Sequence, residues 1–161
     1  MKYKIKEIDF DKLKFDEVNK LLNVNGTVVN ISYLSESLEF QTPKVIIESL
    51  ESTNGTIILK ILPTEACNLF CSKIYELEKN IKKKYNIESI FTKDTFKIKV
   101  PFNYSKPTIK ISSKETNFFN YYHLKKGMEI ICLLTINKLW VNANGEPNYN
   151  LNVKEILITK M

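Results

Sequence analysis

Thr95-Phe96-Lys97-Ile98-Lys99-Val100-Pro101-Phe102 alternates apolar and basic side chains and decides the fold of this chain. Successive side chains of a strand face opposite sides, so Phe96, Ile98 and Val100 enter a core while Lys97 and Lys99 face water. The same period returns in Pro107-Thr108-Ile109-Lys110-Ile111-Ser112. Further on, Lys125-Lys126-Gly127 leads into a long apolar run that ends at Lys138-Leu139-Trp140. The pattern predicts a C-terminal hairpin, with 128–141 going up, 142–148 as the loop and 149–159 returning. A sheet with lysines on one face and rings beside them suits a polyanion whose bases can stack.

Working back from this stretch, Asn54-Gly55 is a strong hairpin signal between the runs 38–51 and 56–63. Pro43 places the first of these runs at an edge or a strand end. Residues 27–35 read as a strand, 4–10 as an edge strand, 87–91 as a short strand and 15–22 as a short helix or helical turn. Pro63-Thr64-Glu65 opens a helix over about 64–84. Its apolar face is predicted to carry Leu69, Phe70, Ile74, Leu77 and Ile81. Lys79, Lys82, Lys83 and Lys84 gather at its C-terminal end, where they complement the helix dipole. No linker or repeat interrupts the pattern. The expectation is one mainly β domain over 1–161, an OB-like, partly open antiparallel barrel with one substantial helix and a C-terminal hairpin.

The formal charge of +6 points to an acidic partner. All 24 basic residues are lysines. Lysine is a hydrated point charge suited to phosphates, whereas the bidentate fork that reads guanine belongs to arginine. Base-specific reading of duplex DNA is therefore disfavoured. Abundant Lys, Asn, Ile, Tyr and Phe with scarce Ala also follow from an AT-rich coding sequence, so the placement of the lysines carries more weight than their number.

Cys67, Cys71 and Cys132 have neither disulfide-framework nor zinc-ligand spacing, and His123 is the sole histidine. Reduced, mostly buried thiols are expected, with no metal and no cofactor. The start lacks an apolar leader core and no run reaches membrane-span length, so a cytoplasmic protein without a membrane partner is expected. No Gly-rich phosphate loop, nucleophile–base pair or carboxylate cluster supports catalysis.

The order of these segments resembles the OB-fold single-stranded-DNA-binding proteins of large nucleocytoplasmic DNA viruses and related cytoplasmic elements such as linear yeast plasmids. The resemblance covers about residues 31–158. It rests on Phe40-Gln41-Thr42-Pro43-Lys44, the following helix, Thr95 to Pro101, Lys126-Gly127, Leu139-Trp140 and Lys154. The family's aromatic–glycine segment after the tryptophan is replaced here by Val141 to Tyr149, with Tyr149 as the stand-in ring. The resemblance implies coating of exposed single strands during DNA replication, a homo-oligomer and replication proteins as further partners.

Candidate phosphate ligands are Lys44, Lys97, Lys99, Lys110, Lys138 and Lys154. If the strands of Lys97, Lys99 and Lys110 pair, like charges cluster without compensating acids. Candidate stacking rings are Tyr33, Phe40, Phe102, Tyr104, Trp140 and Tyr149. Trp140 reads either as a platform for a base or as a residue closing the core. The rings at 118–122 read as a DNA contact, an oligomer contact or core. RNA binding and a protein–protein module are the alternatives to single-stranded DNA binding.

Overall fold

The structure, a computed structural model, describes residues 2–18, 26–51, 54–104, 106–113 and 120–161. The chain begins with β1 (Lys2–Tyr3), β2 (Leu13–Val18), β3 (Gly26–Tyr33), β4 (Leu38–Gln41), β5 (Val45–Leu50) and β6 (Thr56–Lys60). Helix α1 (Glu65–Lys82) follows, then β7 (Phe91–Thr92), β8 (Thr95–Lys99) and the small hairpin β9 (Phe102–Asn103) and β10 (Lys106–Pro107). The last strands are β11 (Lys110–Ser113), β12 (Glu129–Ile136), β13 (Lys138–Asn142), β14 (Pro147–Tyr149) and β15 (Asn152–Lys160).

Strands β5, β6, β8, β15 and β12 pair in that order, and β12 returns to β5, closing a five-stranded, OB-like barrel. The ring is closed rather than partly open, and it is not wholly antiparallel. β8 meets β15 in parallel through one register pair, Lys99 with Asn152. Alternation fills the interior as expected, with Phe96 and Ile98 from β8, Ile57 and Leu59 from β6, and Val45 and Ile47 from β5 all buried.

Pro43 lies between the end of β4 and the start of β5, the strand-end position of the two expected for it. β4 and β5 lie end to end on β12, and proline has no N–H for the ladder. Thr42 makes up the loss with two bonds. Its N–H donates to the Cys132 carbonyl (2.8 Å), and its hydroxyl accepts from the Cys132 N–H (2.9 Å).

Helix α1 starts as its sequence predicts. The Thr64 hydroxyl accepts from the Cys67 N–H at 3.1 Å, and Lys79 and Lys82 lie in the last turn. Phe70, Ile74, Leu77 and Ile81 are buried, and Phe70 meets the barrel rings of Phe40 and Phe96 at 6.4 and 5.3 Å. Leu69, expected on this face, is exposed instead. It lies one step round the helix from the buried stripe.

The C-terminal hairpin divides between two sheets. β12 and β15 belong to the barrel, while β13 and β14 join β3 and β2 in a second, four-stranded sheet. The chain leaves the barrel at Asn137, whose carbonyl accepts from the Ile31 N–H at 2.8 Å. Residues 15–18, expected as helix, extend β2 and pair with β3; 19–22 lie outside the described residues. None of residues 4–10, expected as an edge strand, is strand: β1 ends at Tyr3 and 3-10 turns lie at Ile5–Glu7 and Phe10–Lys12; the expected strand at 87–91 reduces to β7. No helix among the described residues is long and apolar enough to cross a membrane.

Candidate nucleic-acid interface

The outer face of β6 and β8 carries the clearest charge arrangement. Ile57 and Leu59 point inward, so Thr56, Ile58 and Lys60 point outward, and on β8 the outward set is Thr95, Lys97 and Lys99. Register pairs Lys60 with Thr95, Ile58 with Lys97 and Thr56 with Lys99. Each of three successive outward rungs therefore presents one lysine. Neither strand contains an acid, and among the described residues no ion pair forms at Lys60, Lys97 or Lys99. Lys60 is not among the sequence candidates; its only signal is a lone lysine inside the apolar run 56–63, where strand parity is open.

The other lysines stand elsewhere. Lys110 does not pair with the strand of Lys97 and Lys99: β11 runs parallel to β15, with Lys110 opposite Glu155. The expected three-lysine cluster across those strands is corrected accordingly. Lys154 makes a salt bridge to Glu39, whose carboxyl is held below its usual range chiefly by that hydrogen bond. Lys44 is exposed and 4.0 Å from Glu129. Lys138 is exposed on the second sheet, in one row with Asn30 and Asp16.

Three of the six candidate rings are core residues, and for them the stacking expectation is corrected. Phe40 is fully buried against Phe70. Tyr33 is buried edge-on to Tyr3 at 5.1 Å, and its hydroxyl accepts from the Asp9 N–H. Tyr149 is buried and donates to Glu78. A ring enclosed this way has no face to offer a base. In each case alternation was legible, but which parity faced inward was not.

The remaining rings reach the surface to different degrees. Trp140 is half-buried on β13, on the same face as Lys138 and opposite Val28 of β3. Its indole lies across Gly26, where a Cβ would come within 2.6 Å of the ring. Phe102 is half-buried at the exit of β8, and Tyr104, at the tip of the β9–β10 hairpin, is 94% exposed. Within the 118–122 group, Tyr121 is buried and Tyr122 is exposed; Phe118 and Phe119 lie outside the described residues. Lys99, Phe102 and Tyr104 thus converge on one end of the β6–β8 face, while Lys138 and Trp140 occupy the second sheet.

All three cysteines are free, and burial pushes the Cys132 thiol well above its ordinary value. Among the described residues no group of three His, Cys, Asp or Glu side chains could hold a metal ion.

No family model matches the chain, and no curated protein matches it. Among solved structures, it is similar to a C-terminally truncated single-stranded-DNA-binding protein from bacteriophage Enc34, with a TM-score of 0.53 and 14% identity. The match covers 92% of this chain and 95% of the phage one. At that identity the likeness is one of fold, and it extends over nearly the whole chain.

Proposed function

We propose that this chain is a non-enzymatic single-stranded-DNA-binding protein of low sequence preference, acting as one domain that coats exposed strands during DNA replication. The observation that carries the reading is the row of Lys60, Lys97 and Lys99 on three successive outward rungs of two paired strands that contain no acid. In OB barrels the face of the second and third strands, with the loops beside it, carries oligonucleotides, and β6 and β8 are those strands here. The fold likeness to a phage protein that is named for single-stranded DNA adds support.

In this reading the lysines neutralise phosphates and release counterions, and rings beside them stack on unpaired bases. The second sheet adds Lys138 and Trp140 as a further contact. Lys44 and Lys110 lie along outer paths of the strand. Self-association would raise avidity along a coated strand. The resemblance to proteins of cytoplasmic viruses and plasmids makes an AT-rich cytoplasmic replicon the expected setting, with replication proteins as partners.

The test is anisotropy of a labelled oligo-dT of about 30 nucleotides, compared with matching RNA and with duplex DNA across a salt series. Tighter binding to the single DNA strand, weakening steeply with salt, is the expected result. Equal or tighter binding of RNA would move the substrate to RNA. Absence of binding at low salt would end the proposal.

A further inference from the structure

An aromatic platform stands at the end of the lysine face. β8 passes through Val100 and Pro101 into Phe102, and the Val100 N–H donates to the Gly55 carbonyl at 2.8 Å. Gly55 has a φ of +75°, and a Cβ there would lie 2.3 Å from the Val100 carbonyl oxygen and 3.2 Å from the Phe102 ring. Phe102 therefore covers the end of the β5–β6 connection. The start of that connection is held by Tyr121, whose hydroxyl donates to the Glu51 carbonyl at 2.9 Å. The two clamping rings meet edge to face at 5.4 Å.

One further ring, Tyr122, stands on this base, and a second, Tyr104, is carried beside it on the β9–β10 hairpin that starts at Phe102. Tyr122 packs edge to face on Tyr121 at 5.6 Å and is 60% exposed. Its turn is fixed on both sides: the Asn120 side chain accepts from the Tyr122 N–H at 2.9 Å, and the Asn120 N–H donates to His123 Nδ1 at 3.3 Å. Tyr104, two residues beyond Phe102, has a φ of +52°, a left-handed backbone that non-glycine residues seldom adopt. The turn holds the ring out in solvent, where both of its faces are open.

We propose that Tyr122 and Tyr104 form a base-stacking subsite at the Lys99 end of the β6–β8 face, taking unpaired nucleobases of the strand whose phosphates lie on Lys60, Lys97 and Lys99. The inference rests on the single-strand reading above. Unpaired bases suit the surroundings better than a protein partner does. Among the described residues the neighbours Asn103, Lys106, Asn120 and Lys125 are exposed and polar, a setting that suits a phosphate-bearing strand. Lysines on either side supply charge for the phosphates that accompany a stacked base. Stacking on a phenol ring tolerates any base, which agrees with low sequence preference.

The test uses the full chain and two labelled oligomers of equal length, oligo-dT and an abasic phosphodiester chain. Tyr104→Ala and Tyr122→Ala should each weaken oligo-dT binding about 5- to 150-fold, the range for one base–aromatic stack. Binding of the abasic chain and the salt slope should hold, and Tyr122→Phe should restore the oligo-dT affinity. Equal losses on both oligomers, or no loss while the wild-type chain still binds oligo-dT, would overturn the subsite. A lower sedimenting mass in the variants with an unchanged dT-to-abasic ratio would also overturn it, by assigning the rings to self-association. Failure of the wild-type chain to bind either oligomer strikes the single-strand reading itself and is distinguishable from all of these.

Discussion

The Tyr149 hydroxyl donates to the buried carboxylate of Glu78, joining the β13–β14 hairpin to the C-terminal part of α1. Glu78 also accepts from the Ser89 hydroxyl at 2.7 Å and the Ile90 N–H at 2.9 Å. One carboxylate thus ties together the helix, the segment that leads into β7 and β8, and the hairpin that carries Trp140. Among the described residues no cation pairs with Glu78, and these three donors offset the cost of taking the carboxylate out of water.

Removing either partner should therefore unfold the protein more easily. Tyr149→Phe takes away one hydrogen bond to a charged group and should cost about 1.5–3 kcal/mol. Glu78→Ala strands three donors at once and should cost more than Tyr149→Phe. Urea unfolding curves followed by circular dichroism check both. A Glu78→Ala midpoint equal to that of the wild type would show that the carboxylate ties nothing together.

The phenols report the same packing through pH. Burial, with the nearby Glu78, pushes the Tyr149 hydroxyl far above its ordinary value of 10.0. Burial likewise raises Tyr121 and Tyr85. A raised folded-state value means that the stability these groups contribute is fully present below about pH 10 and is lost as pH rises through the folded value. Alkaline titration at the tyrosinate absorbance band should show part of the signal delayed beyond pH 10, and urea should bring that part back to about 10.

The lysine face makes a quantitative prediction about salt. Single-stranded DNA loses about 0.7 from the log–log salt slope for every phosphate contact removed. Lys97→Gln with Lys99→Gln should flatten the oligo-dT slope by about 1.4. Lys154→Gln should leave it nearly unchanged, because Glu39 already occupies that side chain. Equal flattening in both variants would show that the β6–β8 face has no special part in binding.

Gly26 offers a way to move the indole without touching it. A Cβ there would come within 2.6 Å of both the Trp140 ring and the Val141 carbonyl oxygen. Gly26→Ala should displace the ring, shift the emission of the sole tryptophan, and cost about 1–3 kcal/mol through overpacking. An unchanged emission spectrum would mean that the indole does not rest on Gly26 in solution.

Local signals in the chain carried well. Thr64 caps α1 where Pro63-Thr64-Glu65 announces it, Asn54-Gly55 joins β5 to β6, and Phe96 and Ile98 face inward as their alternation implies. What failed to carry was non-local. Residues 15–18 resemble a helical turn in isolation, and only pairing with β3 makes them a strand. Trp140 ends a long apolar run in sequence, yet the break at Asn137 moves it out of the barrel wall into a second sheet. The candidate rings split between core and surface because a strand's period gives two faces without saying which is covered. Glu78 had no sequence signal at all: a glutamate on a helix reads as solvated until its three donors, from two distant segments, are in place.

The single register pair between β8 and β15 makes that seam the thinnest part of the barrel wall. The rest of that edge of β8 is occupied by β7, a two-residue strand from the same hairpin. β8 is held along its length by β6, and β15 by β12, so parting the two at Lys99 and Asn152 breaks few bonds and leaves both halves intact. Hydrogen exchange should find this clasp first: the Lys99 amide, which donates to the Leu151 carbonyl, should lose protection well before the amides of β12. The residue that closes the ring is also one of the three lysines of the proposed strand-binding face. A phosphate held there would bear on the barrel's own hinge, so loading the face and tightening the wall would become a single event.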